Sequence, residues 1–394
     1  MNLSYESVIQ LHPIDIREDR KNYIVEDKLT GEYFEMPAIC IHAIEMIENE
    51  YSLLEIEKEL KAVYPQEEVN LIEFIEQLIE MELIQEVDGQ TIEYSKINSE
   101  KLGFLWIPER FGMLFFNRYT VVLYGLLFFI NLGILITNPQ YIPHYKDLFI
   151  FDVMMYNILF YMAISFVLVF IHEFGHILAI RAAGLPTKLE IGHRLFLVVL
   201  ETDMTQVWSL PINKRNRLYL AGMCFDVVLL TLALFFMILF PNTSSLLIGI
   251  CGIIVYDVII RMIYQCCIYM KTDLYYVFEN SFGCYNLMEN AQNYLKGKLL
   301  SKRPNQSNQI FAGEKGIVIV YGVGYLVGMA LSLTLLVGYI LPQIMFVIKD
   351  SVAGITVPVS SIQFWDAIVV FLQLILGFGL LLYSWTKTYK MKYK

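Results

Sequence analysis

Two histidines and a glutamate lie close together in a long apolar segment. They are His172, Glu173 and His176, in the run Ile-His-Glu-Phe-Gly-His. On a helix the two histidines are one turn apart on the same face, so both imidazoles can bind one zinc ion. Glu173, beside the first histidine, is placed to accept a proton from a water that the zinc polarises. Because ionisable side chains are costly inside a membrane and usually mark function, the pattern favours a zinc site over a polar patch that only satisfies itself.

The composition indicates that these residues belong to a membrane protein. The 394 residues are 56% hydrophobic and 17% charged, with a mean hydropathy of +0.52. A soluble domain normally carries about 25% charged residues, and the same figures exclude a disordered, collagenous or coiled-coil chain. Residues 1–100 hold 24 acidic and 7 basic residues, whereas the remainder holds 15 and 22. We therefore expect an acidic soluble domain followed by a basic membrane-embedded one.

Six stretches are long enough to cross a hydrocarbon core of about 30 Å. Basic residues concentrate between the second and third stretches, between the fourth and fifth, and after the sixth, which predicts that both termini are cytoplasmic. The start of the chain has no apolar core of signal-peptide length, in agreement with this orientation. We expect a multi-pass protein of the plasma membrane, in contact with the lipid bilayer. The predicted spans are Tyr119–Thr137, Phe149–Ile180, Leu218–Phe240, Ser245–Met270, Gly316–Ile340 and Phe364–Trp385.

A metal-binding histidine pair inside a predicted spanning helix resembles the site-2 protease family of intramembrane zinc metalloproteases. The resemblance covers about residues 150–290 and implies a zinc-dependent endopeptidase that cuts at membrane depth. Members of that family take a third zinc ligand, an aspartate, from a later core helix, usually within Asn-x-x-Pro-x-x-x-Leu-Asp-Gly. This sequence lacks that pattern, and its nearest segment, Met270 to Tyr276, resembles that of the peptide zinc metalloprotease branch, with Leu274 where glycine is usual.

Three aspartates compete for roles around the zinc. Asp273 is the preferred third ligand. The second and fourth spans run in the same direction, so Asp273 and His176 both lie towards the cytoplasmic end. Alternatively, Asp273 is only a carboxylate at the end of a helix. Asp257 is the rival ligand, although Arg261 four residues later can pair with it. Asp226 lies where the family often has Gly-Pro-x-x-Asn, and it is a candidate partner for a ligand histidine.

The segment between the second and third spans has a β pattern. Residues 191–208 are β-branched and aromatic with polar interruptions. This pattern fits either a hairpin that dips into the membrane from the cytoplasmic side or a plain surface loop. Site-2 proteases have such a segment, and an exposed strand edge of a hairpin can pair with an extended substrate.

The first 92 residues predict an α+β winged-helix-like domain. Three short strands, three helices and a closing strand are expected, with a turn at Thr30-Gly31 and helix starts at Ser52 and Asn70. Winged helices often bind DNA, but phosphates would repel so acidic a domain, so we expect no nucleic acid partner. Residues 93–115 mix charges and aromatic residues and predict an amphipathic linker against the membrane surface. Residues 116–394 form the predicted protease domain.

The strand and helix order of residues 1–92 resembles the peptide chaperone of pyrroloquinoline-quinone biosynthesis. In that family a leader peptide adds to the third strand and lies against the third helix, here about Tyr33–Met36 and Leu71–Ile79. The resemblance implies that Tyr33, Phe34, Glu35 and Phe74 contact a peptide. The acidity of the domain predicts a leader rich in Lys or Arg. A regulatory or oligomerising domain without a peptide ligand is the alternative.

Together these features predict an intramembrane zinc metalloprotease that matures a ribosomally made peptide at the cytoplasmic side of the membrane. A peptide exporter or a modifying enzyme is an expected partner. One alternative keeps the protease but gives it a membrane-anchored regulator or a remnant signal peptide as substrate. Another is a metal or peptide transporter that performs no proteolysis.

Overall fold

A computed structural model describes residues 3–67, 69–92, 94, 103–194, 197–300 and 314–392. The chain divides into two compact units, each built from separated segments. The first comprises Met1–Leu102, Met204–Arg215 and Phe282–Ile319, and the second Gly103–Asp203, Asn216–Ser281 and Val320–Lys394. The domain predicted for residues 1–92 is therefore one part of a larger first unit.

The first unit begins with short antiparallel strands. They are β1 (Ile9–Leu11), β2 (Ile14–Asp19), β3 (Asn22–Asp27) and β4 (Tyr33–Met36). The sequence predicted one strand where β1 and β2 form, and Pro13 separates them because it has no backbone N–H to donate. Strands β2, β3 and β4 form one sheet in that order. The turn predicted before β4 is confirmed: Gly31 has a φ of +73° and its N–H donates to the carbonyl of Asp27.

Three helices and a hairpin complete the compact core of this unit. The helices α1 (Ala38–Glu48), α2 (Leu53–Val63) and α3 (Leu71–Glu80) confirm the predicted order, and β5 (Ile84–Val87) pairs with β1 and with β6 (Gln90–Thr91). Ser52, a predicted helix start, precedes α2 and forms a capping box with Glu55. The Asn70 side chain accepts a hydrogen bond from the Glu73 N–H and so caps α3. The Glu73 carboxylate accepts a hydrogen bond from the side-chain amide of Asn70, whereas a capping box would need the backbone N–H of Asn70 as the donor.

The remaining elements follow in chain order. Strands β7 (Leu189–Arg194) and β8 (Leu197–Thr202) form a separate two-stranded sheet. The further helices are α4 (Glu109–Phe115), α5 (Arg118–Thr137), α6 (Met154–Ala182), α7 (Ile212–Tyr219), α8 (Ala221–Leu239), α9 (Ser245–Gln265), α10 (Asp273–Phe282), α11 (Leu287–Leu300), α12 (Lys315–Leu335), α13 (Leu341–Ile355) and α14 (Ile362–Lys392).

Within the described residues, six stretches of helix are long and apolar enough to cross a membrane. The first stretch includes α4, so it begins ten residues before the predicted start, within the predicted linker. Residue 93 and residues 95–102 of that linker lie outside the described residues. The fifth runs past its predicted end because a π-helical turn joins α12 to α13. The stretches are Glu109–Thr137, Met154–Ala182, Ile212–Leu239, Ser245–Gln265, Lys315–Ile355 and Ile362–Lys387.

A fully buried arginine joins the three segments of the first unit. Arg215 Nη1 donates to Asp19 Oδ2 at 2.8 Å and to the hydroxyl of Tyr285 at 3.1 Å. Its guanidinium carbon lies 4.9 Å from the ring centroid of Trp208. Because Asp19 is also buried, the carboxylate and the guanidinium each depend on the other for charge compensation.

We expect Arg215→Met to lower the free energy of unfolding of the first unit by about 3–5 kcal/mol, because Asp19 would keep a buried charge without its partner. Trp208 is the one tryptophan in the residue ranges of this unit, so its emission reports unfolding in urea once the other three are replaced by Phe. Lys214→Met, at the exposed neighbouring position, is the matched control. Equal unfolding midpoints for the two variants would contradict this account.

Candidate metal centre

Helix α6 places His172 and His176 one turn apart and almost completely buried, at 4% and 1% exposure. Helix α8 packs closely against this face at Gly175, where a Cβ would lie 2.8 Å from the carbonyl oxygen of Ala221. A glycine is therefore required at the packing contact, because any side chain would push the two helices apart.

Asp273 reaches both histidines from the first residue of α10. Its Oδ2 lies 3.1 Å from His172 Nε2 and 3.3 Å from His176 Nε2. Two ligands of a tetrahedral zinc ion, each bonded at about 2.0–2.1 Å, lie about 3.3 Å apart. Both histidine nitrogens thus lie from Asp273 Oδ2 at about the separation of two zinc ligands, and all three ligand atoms lie within 4.8 Å of one another. Two histidines with one carboxylate form a common catalytic zinc set.

The hydrogen bonds at the opposite ring nitrogens determine where the protons of the histidines lie. His176 Nδ1 lies 3.0 Å from the carbonyl oxygen of Leu218, which can only accept, so Nδ1 carries the hydrogen. His172 Nδ1 lies 2.7 Å from the carboxylate of Asp226 and is assigned in the same way. Nε2 of each ring is therefore the nitrogen that faces Asp273 Oδ2. When these nitrogens carry no hydrogen, their lone pairs and the carboxylate oxygen can bind one cation, so the residues fit a metal ion.

Gln265, at the end of α9, fixes the Asp273 carboxylate. Its amide Nε2 donates to Asp273 Oδ2 at 2.8 Å, and its Oε1 accepts from the Asp273 backbone N–H at 2.9 Å. Burial opposes ionisation of Asp273, but the neighbouring rings of His176 and His172 lower the pKa of its carboxyl group below the ordinary value. Asp273 is therefore an ionised carboxylate at neutral pH.

Gly222 on α8 leaves the space in front of the two histidines open. A Cβ at this position would lie 2.4 Å from His172 Nε2 and 2.5 Å from His176 Nε2. These distances are close to zinc–nitrogen bond lengths of about 2.0–2.1 Å. A methyl group here would occupy the volume that an ion held by both histidines requires.

Glu173 is buried and hydrogen-bonded to the β7–β8 hairpin. The Thr202 hydroxyl, on the last residue of β8, donates to Glu173 Oε2 at 2.8 Å. This bond orients the carboxylate through Oε2 and does not use Oε1. The hairpin itself was one of the two structures that the sequence allowed for this segment.

The two other aspartates are each bonded to other side chains. Asp226, fully buried, bonds His172 Nδ1 through Oδ2, as a partner of a ligand histidine would. Asp257 accepts from Ser165 Oγ at 2.6 Å and pairs with Arg261. It is not part of the group of ligand atoms formed by His172, His176 and Asp273, which the structure brings together without it.

The residues predicted to contact a peptide lie in the first unit. Phe34 and Phe74 are half-buried and pack against its core. The Tyr33 hydroxyl donates to Gln206 Oε1 at 3.3 Å, and Glu35 Oε1 accepts from Asn22 Nδ2 at 2.7 Å.

Sequence reasoning missed three residues of the centre. Gln265 continues the four-residue spacing of Asp257 and Arg261, which was a usable signal. Thr202 is a polar residue in an otherwise apolar strand, a weaker signal. The role of Gly222 depends on the close approach of α8 to α6, which no local pattern reveals.

Comparisons with known protein families, with curated proteins and with solved structures found no match to this chain.

We expect Gly222→Ala to abolish stoichiometric zinc binding, because its methyl group would overlap the ion. Metal analysis of the detergent-purified protein measures zinc per chain. Gly133→Ala, where the added methyl group meets nothing within 4 Å, is the matched control and should keep the zinc content of the wild type. Full zinc occupancy in Gly222→Ala would show that the ion lies elsewhere.

Proposed function

We propose that the protein is an intramembrane zinc metalloendopeptidase that cleaves a ribosomally made peptide. The observation that carries the proposal is the convergence of two histidine Nε2 atoms on one carboxylate oxygen of Asp273. Glu173 directly follows the first of these histidines. The resemblance to site-2 proteases agrees with this assignment.

The reaction is hydrolysis of a peptide bond. A zinc ion held by His172, His176 and Asp273 would supply a Lewis acid that polarises the peptide carbonyl and lowers the pKa of water to about 7. Glu173 accepts a proton from the attacking water as the water oxygen bonds to the carbonyl carbon of the peptide. As the C–N bond breaks, Glu173 returns that proton to the nitrogen of the leaving amine. Thr202 holds the Glu173 carboxylate in place during both transfers.

The β7–β8 hairpin is the proposed docking edge for the scissile segment. A helical substrate must become extended before its amide can be hydrolysed, and a strand edge supplies main-chain hydrogen bonds to an extended chain. Thr202, at the end of β8, contacts the proposed base Glu173. A chain added to this hairpin is therefore held by the same element that orients the base.

The first unit is proposed to bind the leader of the substrate peptide on a winged-helix-like core. Strand β4 is the last strand of its sheet in the described part of the chain. The Asp27 N–H donates to the Glu32 carbonyl, so these two residues form a hydrogen-bonded pair of the β3–β4 ladder. Hydrogen-bonded and non-hydrogen-bonded pairs alternate along an antiparallel ladder. Tyr33, which lies opposite Glu26 in the next pair, is therefore at a non-hydrogen-bonded position. Its backbone N–H and C=O therefore point away from β3, towards an added strand.

The proposed topology is that of a multi-pass protein of the plasma membrane with both termini in the cytoplasm. It is supported by the six apolar helical stretches and by the basic residues of the alternate connections. The excess of acidic residues near the amino terminus favours a leader rich in Lys or Arg. A peptide exporter or a modifying enzyme would act on the same peptide.

Glu173→Gln is expected to keep zinc bound but to reduce peptide cleavage by about 10²–10⁴-fold, because the amide cannot accept the proton. Zinc content and product formation are measured on the same preparation, with a synthetic peptide that the wild type cleaves as substrate. Glu109→Gln, at an exposed position of α4, is the control and should keep both zinc and activity. Undiminished activity of Glu173→Gln in cells would instead favour a transporter.

Tyr33→Pro is expected to abolish leader binding, because it removes an N–H that points away from β3 without removing a β3–β4 hydrogen bond. Tyr33→Ala loses the same ring but keeps the N–H and is the matched control. Binding of a fluorescent leader peptide to the full-length protein distinguishes them. If the two variants bind equally well, strand addition to β4 is wrong.

A further inference from the structure

Helix α9 carries two charged side chains and one amide side chain at four-residue spacing in a mostly apolar sequence. Asp257, Arg261 and Gln265 therefore follow one face. Gln265 holds the candidate ligand Asp273 through two hydrogen bonds. The middle residue, Arg261, has a less direct connection to the metal centre.

Arg261 bonds to three groups on three helices. Its Nη1 donates to Asp226 Oδ1 on α8 at 3.0 Å and to the carbonyl oxygen of Leu168 on α6 at 3.0 Å. Its Nη2 donates to Asp257 on its own helix. An ion pair with Asp257 alone would neutralise Arg261, so the bond to Asp226 needs a separate explanation.

Asp257 and its hydrogen-bonding partners on α6 fix the position of Arg261. Asp257 Oδ1 accepts hydrogen bonds from Ser165 Oγ at 2.6 Å and from the Tyr161 hydroxyl at 3.3 Å, both on α6. The planar guanidinium is therefore held at one end by Asp257 and presents its other nitrogen to Asp226 in a fixed direction.

Asp226 transmits this orientation to the metal centre. Arg261 occupies Oδ1, so Oδ2 is the oxygen that lies 2.7 Å from His172 Nδ1. That bond fixes the tautomer and the rotation of the ring, and hence the direction of the Nε2 lone pair. Two carboxylates and one guanidinium also leave one net negative charge behind His172, which favours a cation in front of it.

We propose that Arg261 is a positioning residue of the metal centre that acts through Asp226 on His172. The inference rests on the proposed function, since it assigns Arg261 a task towards the zinc ligands of that site. Loss of Arg261 frees the Asp226 carboxylate to rotate and leaves the His172 ring without a fixed orientation. Losing an outer hydrogen-bonding partner of this kind typically weakens metal binding about 10–100-fold.

The test compares Arg261→Met with Arg181→Met. Arg181 is also a buried arginine, but its guanidinium donates only to the carbonyls of Ile107 and Leu185 among the bonds described. Zinc affinity is measured by competition with a chelator, and the visible spectrum of the cobalt(II)-substituted protein reports the ligand geometry. We expect Arg261→Met to bind zinc about 10–100-fold more weakly and to change the cobalt spectrum. Arg181→Met should match the wild type in both.

Arg261→Lys keeps the test decisive if Arg261→Met does not fold. Lysine preserves the charge, but its single nitrogen cannot hold Asp226, Asp257 and the Leu168 carbonyl in the same geometry. We expect an altered cobalt spectrum and zinc affinity between those of the wild type and Arg261→Met. A folded Arg261 variant with the affinity and spectrum of the wild type would overturn the inference alone, whereas a wild type that binds no zinc would overturn the proposed function.

Discussion

The structure of the candidate site depends on one electrostatic constraint. The Nε2 atoms of His172 and His176 face the same oxygen of an ionised carboxylate, in a place with little access to water. A carboxylate buried in this way needs positive charge beside it, from a protonated ring or from a cation. The surrounding elements hold the three groups together, and Gly222 keeps open the space that a cation bonded to both rings would occupy.

Spacing of about four residues along a helix places both the metal ligands and the side chains that hold them on one face of α6 or α9. On α6, Ser165, His172 and His176 lie near one face, and on α9 Asp257, Arg261 and Gln265 do so. Each of these three side chains of α9 bonds to a group on a neighbouring element, so the buried charges are compensated within the helix bundle. Buried charges tolerate little displacement once they are paired. The same bonds that compensate the charges therefore also restrict the movement of the ligands.

The parts of the site that were predictable from the sequence are those encoded locally. His172, Glu173 and His176 follow from spacing on one helix, and the order of the first three helices followed from their caps and apolar periodicity. Asp273 could be preferred over Asp257 only through the resemblance and the direction of the spans. Thr202 and Gly222 depend on how a hairpin and a second helix approach α6, which is a property of tertiary packing. The extension of the fifth helix past Ile340 likewise depends on a π-helical turn that the hydrophobic pattern does not reveal.

The first unit is not formed by residues 1–92 alone. Residues 1–92 share their buried charges with later segments, since Asp19 compensates Arg215 and accepts a hydrogen bond from Tyr285. Removing the first 92 residues would leave the buried guanidinium of Arg215 without its carboxylate. Loss of activity after such a truncation would therefore report damage to the unit as readily as loss of peptide recognition. The proposed peptide binding by β4 is separable from the stability of the unit only through substitutions that leave the Asp19–Arg215 pair intact.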